Sequence, residues 1–121
     1  MRIFKNDWFT RFARRENISD STLKDAIARA EKGVIDADLG GGVIKQRIAR
    51  PGQGKSGGYR SIIYFRKGMY ALFIYGFAKS DRENVYPDEV AEFKKTAKGF
   101  FLLTDKQLKS LLEEEEFTEI L

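Results

Sequence analysis

Residues 69–78 form the most apolar segment of the chain, with Tyr70, Ala71, Leu72, Phe73, Ile74, Tyr75, Phe77 and Ala78 in one uncharged run. β-branched and aromatic residues at this density predict a central strand. Just upstream, residues 59–66 carry Tyr59, Ile62, Ile63, Tyr64 and Phe65 and read as a second strand, with Lys67 and Gly68 as the hairpin turn between them. Residues 43–50 give a third strand, with Lys45 and Arg47 on one face and Ile44 and Ile48 on the other. Short links between the three predict an antiparallel meander.

A sheet of this kind must be covered by other elements, and the rest of the chain supplies helical patterns. Residues 2–5 read as a short first strand. Asn6 and Asp7 can cap a helix whose apolar face is Trp8, Phe9, Phe12 and Ala13. Residues 19–22 offer a second cap, followed by Leu23, Ala26, Ile27, Ala30 and Val34 at helical spacing, with Gly33 as the stop. Residues 36–42, rich in Asp and Gly, read as a turn, and residues 50–58 as a loop. Pro87 suits a helix start with Asp88 and Glu89 in its first turn; Val90, Phe93 and Ala97 form its face, and Gly99 reads as its end. Thr104 and Gln107 have capping-box spacing for a last helix carrying Leu108, Leu111 and Leu112. The expectation is an α+β fold: an N-terminal helical hairpin packed on an antiparallel β-sheet meander, with C-terminal helices, in one domain over residues 1–121. At 121 residues the chain is long enough for one core and too short for two ordinary domains.

The net charge of +4 conceals a division. Residues 1–80 hold sixteen Lys and Arg against seven Asp and Glu, whereas residues 81–121 hold six against eleven. Residues 39–80 carry eight basic side chains and no acidic one. A field this concentrated favours a polyanionic partner. Three basic residues on adjacent strands, Lys45, Arg47 and Arg60, repel one another unless an anion lies among them. The chain has no Cys and no His, which removes thiol nucleophiles, disulfides and Cys/His zinc sites. Proton transfer then falls to Lys, Tyr, Arg-assisted water or a carboxylate. No signal peptide or membrane-length apolar run is visible.

Two glycine patterns are decoys. Gly54-Lys55-Ser56 lacks the first glycine of a phosphate-binding P-loop, since Ala49 stands there, and the loop leads into a strand instead of a helix. Gly52, Gly54 and Gly57 match the dinucleotide fingerprint without a βαβ unit around them. Lys55 can still meet a polymer phosphate from such a loop. Lys79, at a strand end beside Arg82, reads either as a catalytic lysine or as a lysine closing a strand in solvent. Tyr86 can orient a ribose hydroxyl or pack on the core. Tyr59, Tyr64, Tyr70 and Tyr75 read as sheet core, with base stacking as the alternative. The run from Glu113 to Glu116 reads as a solvated helix end.

Several blocks together resemble the RelE/ParE superfamily of type II toxin–antitoxin toxins, in particular its RelE/HigB-like branch. They are residues 11–14 (Arg11, Phe12, Ala13, Arg14), residues 36–52 from Asp36 through Gly40, Gly41, Gly42, Lys45 and Arg47 to Gly52, residues 54–60 ending in Gly58, Tyr59 and Arg60, and residues 76–84 from Gly76 to Asn84. The resemblance implies a ribosome-dependent mRNA endonuclease that works without metal or cofactor, the ribose 2′-hydroxyl attacking the adjacent phosphate. It implies a cytoplasmic protein with no membrane partner, acting on ribosome and mRNA and neutralised by a cognate antitoxin of the helix-turn-helix, HigA-like kind. Gly58-Tyr59-Arg60 matches the family's strand motif, which makes Arg60 the first candidate for binding the scissile phosphate, helped by Arg47 and Lys45. Ser80 stands where the family has a late catalytic arginine, so Lys79 or Arg82 substitutes. Catalytic candidates are therefore Arg60, Lys79, Arg47, Lys55 and Tyr86; RNA-phosphate candidates are Lys45, Arg47, Arg50, Lys55, Arg60 and Arg82. The other function classes are a ParE-like gyrase inhibitor without nuclease chemistry and a non-catalytic RNA-binding module.

Overall fold

The computed structural model describes the backbone of residues 1–50 and 54–121 and the side chains outside residues 51–56. The elements are β1 (Arg2–Asn6), α1 (Asp7–Arg15), α2 (Asp20–Glu31), β2 (Ala37–Gly40), β3 (Val43–Arg50), β4 (Gly54–Arg66), β5 (Tyr70–Ala78), α3 (Pro87–Phe101), α4 (Asp105–Glu113) and β6 (Phe117–Ile120). The fold is α+β. The expected three-strand meander, β3-β4-β5, is the middle of a six-stranded sheet ordered β2-β3-β4-β5-β1-β6. The sheet is mixed: β1 runs parallel to β5, with Phe4 opposite Leu72, and antiparallel to β6, with Ile3 opposite Ile120. The helices lie between strands in the sequence, α1 and α2 after β1, α3 and α4 after β5.

The structure departs from the sequence reading at several places. Residues 37–40, read as turn, form edge strand β2, because pairing with β3 satisfies a backbone whose Asp and Gly content argues against strand. Residues 54–58, read as loop, belong to β4, where Gly54 already pairs with Arg50. Residues 117–120, given no element from sequence, form β6. Gly99 lies inside α3 instead of ending it. Val34 also leaves the helical face, since α2 stops at Glu31 and Gly33 turns the chain at φ +85°.

The caps act as the sequence implies. Asn6 accepts the Phe9 N–H at 2.7 Å and Ser19 the Thr22 N–H at 3.2 Å. Thr104 and Gln107 exchange both bonds of a capping box, at 2.9 and 3.1 Å. Each such cap contributes about 1 kcal/mol to its helix.

Strand alternation sends two sets of side chains to opposite faces of the sheet. On one face Ile44, Ile48, Tyr59, Ile63 and Phe73 pack with Phe9 and Phe12 of α1 and Leu23, Ala26 and Ile27 of α2. On the other, Val43, Ile62, Tyr64, Leu72 and Phe77 pack with Ala97 and Phe100 of α3 and Leu108 of α4. Burying each large apolar side chain contributes about 1.5–3 kcal/mol. Lys45, Arg47 and Arg60 share this second face, beyond the part that the two C-terminal helices cover. Gly58 permits the close approach of β3 and β4 beside them: a Cβ there would meet the Ile48 carbonyl oxygen at 2.2 Å.

Candidate functional site

Strand register assembles the basic cluster. Arg47 lies directly opposite Arg60 across β3 and β4, and Lys45 lies opposite Ile62. Side chains of directly paired residues point to one face, so the two guanidiniums and the ammonium stand together. Lys79 joins them from the end of β5, where its N–H donates to the Gly58 carbonyl at 3.3 Å. These four cations, with Asp36, Glu83 and Asn84, line one cavity of about 370 Å³.

Arg60 is the centre of the site. It is only 7% exposed, and among the described residues no carboxylate lies within 4.0 Å of its guanidinium. Its one hydrogen bond there is a long one, from Nη1 to the Tyr59 carbonyl at 3.5 Å. Burial lowers its pKa, and the nearby Arg47 lowers it further, against an opposing pull from Asp36. A guanidinium remains protonated regardless, so the fold holds a largely desolvated cation.

The surrounding groups are held in place. The Asp36 carboxylate accepts the Arg47 N–H and lies 3.9 Å from the Arg47 Nε. Arg29 Nη2 donates to the Arg47 carbonyl at 2.6 Å. Gln46, fully buried, donates to the carbonyls of Ala26 and Val34 at 3.0 and 2.9 Å and accepts the Asp36 N–H at 3.0 Å, so it ties the turn after α2 to β3. Lys45 Nζ donates to Asn84 Oδ1 at 3.1 Å, and that oxygen also accepts the Val85 N–H at 2.9 Å.

Of the residues singled out from sequence, Lys45, Arg47, Arg60 and Lys79 come together here. Arg82 does not line the cavity. Its Nη2 meets Glu89 Oε1 at 2.6 Å, its Nη1 donates to the Tyr75 hydroxyl at 3.1 Å, and it lies 4.9 Å from the Tyr86 ring centroid. The carboxylate, then the phenol, hold its pKa above the usual guanidinium value. Arg82 thus pins the loop bearing Glu83 and Asn84 to α3. Tyr86 is 66% exposed and outside the cavity, and Arg50 lies over the Tyr59 ring at 5.4 Å. The Lys55 side chain falls outside the described residues. The idea that no acid lies near the cations needs correction, since Asp36 and Glu83 flank the acid-free stretch in sequence and fold back onto it. Sequence reasoning assigned no role to either, nor to Asn84, although all three stand in the blocks that carry the family resemblance.

A larger cleft of about 670 Å³ opens between α3 and the sheet, lined by Leu72, Ile74, Phe93, Phe100 and Phe117. It is apolar and lacks the convergent charges that chemistry on a phosphate needs.

The sequence pattern of the RelE toxin of the RelE/RelB toxin–antitoxin system matches residues 1–120. The chain belongs to the RelE toxin family. Comparison with curated proteins returned no match. As a RelE-family member it is a toxin of a type II toxin–antitoxin system, and toxins of this family pair with an antitoxin of the RelB family. The cationic cavity of this RelE-type toxin draws Lys45, Arg47 and Arg60 from the sheet face that also carries Val43 and Ile62. Among its described residues no helix is long and apolar enough to cross a membrane.

Proposed function

We propose that this RelE-family toxin is an endoribonuclease that cuts mRNA on the ribosome in the cytoplasm, in the manner of the RelE/HigB-like branch, and that a helix-turn-helix, HigA-like antitoxin restrains it. The observation carrying this reading is the Arg60 guanidinium, almost buried, facing Arg47 across the strand pair and without a carboxylate within 4.0 Å among the described residues. Such a charge is costly to hold in a fold unless an anion uses it. A phosphodiester seated in the cavity meets Arg60 and Arg47 as planar, bidentate donors and Lys45 as a point charge. The same groups stabilise the extra negative charge that develops when the 2′-hydroxyl attacks phosphorus. In this reading Lys79, which lines the cavity, protonates the leaving 5′-oxygen. The reaction needs positioning and charge stabilisation more than an exotic nucleophile, which suits a site without Cys or His.

The test compares mRNA programmed into purified ribosomes with mRNA alone, mapping new 5′ ends. Cuts confined to the ribosomal sample and absent with Arg60→Ala support the reading. Cuts in both samples indicate a free ribonuclease. No cut in either, from folded protein that still arrests growth, rejects the nuclease reading and directs the next assay to gyrase supercoiling.

A further inference from the structure

Attack by a 2′-hydroxyl requires a group that begins without a proton at the nucleophile. Among the side chains lining the cavity, Lys45, Arg47, Arg60 and Lys79 are cations and Asn84 is an amide. An ammonium or guanidinium must lose a proton before it can take one, whereas a carboxylate accepts one directly. The cavity has two carboxylates, Asp36 and Glu83, and they differ in availability. Asp36 is occupied by Arg47, through both the backbone N–H and the guanidinium. Glu83 is exposed and, among the described residues, makes no side-chain hydrogen bond or ion pair. Its backbone is nonetheless anchored on both sides. Arg82 is fastened to Glu89 at 2.6 Å, and the Asn84 amide oxygen accepts from Lys45 at 3.1 Å. Among the described residues, the anchored loop therefore presents one carboxylate without a partner to the cluster of cations.

We infer that Glu83 is the general base of this site, an inference that rests on the nuclease reading above. Glu83 takes the proton of the ribose 2′-hydroxyl. The 2′-oxygen forms its bond to phosphorus while the bond from phosphorus to the 5′-oxygen breaks. The leaving 5′-oxygen takes a proton from the Lys79 ammonium. One RNA end carries a 2′,3′-cyclic phosphate and the other a 5′-hydroxyl; water then restores the proton to Lys79 and removes it from Glu83. Asp36 acts differently, as a positioning residue that holds β3 and Arg47.

The experiment is single-turnover cleavage on mRNA-programmed ribosomes across pH, with wild type, Glu83→Gln, Glu83→Ala and Asp36→Asn. Association is measured alongside, using mRNA with a 2′-deoxy nucleotide at the cut position. The Glu83→Gln rate is expected to fall about 10²- to 10⁴-fold, with loss of the acidic limb of the pH–rate profile and unchanged association. Formate is expected to restore part of the Glu83→Ala rate. Asp36→Asn is expected to slow cleavage while keeping the acidic limb. A Glu83→Gln protein that cleaves at the wild-type rate with the wild-type pH profile overturns the assignment and leaves the nuclease reading standing. So does one that loses association together with cleavage, since that marks Glu83 as structural. Wild type that cuts no ribosomal mRNA overturns both.

Discussion

Replacing Arg60 by methionine separates what the guanidinium does for RNA from what it does to the fold. The side chain is 7% exposed and faces Arg47 across the strands. Repulsion from Arg47 disfavours its charge. Loss of hydration adds to that cost, and Asp36 offsets part of it. Methionine keeps a flexible apolar stem of similar reach and removes both penalties. The RNA-free protein should therefore gain about 1–2 kcal/mol, the low end of what replacing buried charge with apolar volume yields. In a chain of this size that is roughly 3–8 °C in melting temperature. Because the guanidinium keeps its proton throughout the usual working range, the gain should be the same at about pH 6 and pH 9. Thermal unfolding with and without sulfate is the assay. Sulfate should raise the wild-type midpoint more than the variant's, the difference reporting anion binding at Arg60 over the general stabilisation by sulfate. Cleavage should fall at least about 10²-fold, as when a single oxyanion donor is removed. A variant less stable than wild type by more than about 1 kcal/mol would refute the reasoning, because Arg60 would then be a structural support instead of a held-open anion site.

Other perturbations test the scaffold around it. Gly58→Ala sets a Cβ against the Ile48 carbonyl oxygen at 2.2 Å, so unfolding by urea should show a loss of about 2–4 kcal/mol, with hydrogen exchange rising in β3 and β4. Gln46→Leu leaves the Ala26 and Val34 carbonyls and the Asp36 N–H unpaired; a loss of about 2–4 kcal/mol is expected, together with slower cleavage as Asp36 and Arg47 loosen. Arg82 lowers the Glu89 carboxyl below its ordinary range, so the ionised form is favoured in the fold. That contribution is present above the ordinary Glu value, about 4.3, and fades as pH falls through the lowered one. Urea midpoints should therefore decline toward acid more steeply in wild type than in Glu89→Gln. Lys45→Ala should lower the slope of log affinity for ribosomal RNA against log salt by about 1, as expected for one lost phosphate contact.

The elements legible in the sequence are those whose signal is local. The β4–β5 hairpin shows in its apolar runs and the Lys67-Gly68 turn, and α1, α2, α3 and α4 show in cap residues beside helical spacing. β2 and β6 escaped because each has only four residues: β2 is built from Asp38 and Gly40 among others, poor strand formers, and β6 pairs with β1 at the other end of the chain. The parallel position of β1 was equally hidden, since nothing near Arg2 signals Tyr70 as its partner. At the site, alternation along β3 and β4 was enough to group Lys45, Arg47 and Arg60. It gave no warning of Asp36 or Glu83, which reach the cavity from the bend before β2 and from the loop after β5. Arg82 looked like a phosphate ligand while its acceptor, Glu89, was still only a helix-start residue.

β1 precedes the other elements in the chain, yet its two neighbours come much later: β5 begins at Tyr70, and β6 spans Phe117–Ile120. With Ile3 set against Ile120, the sheet cannot be sealed until nearly the whole chain has emerged. Closing so long a separation costs entropy before any contact repays it, and places this step late and slow in folding. During translation the chain therefore carries its basic strands in an unfinished sheet until residues 117–120 can join β1.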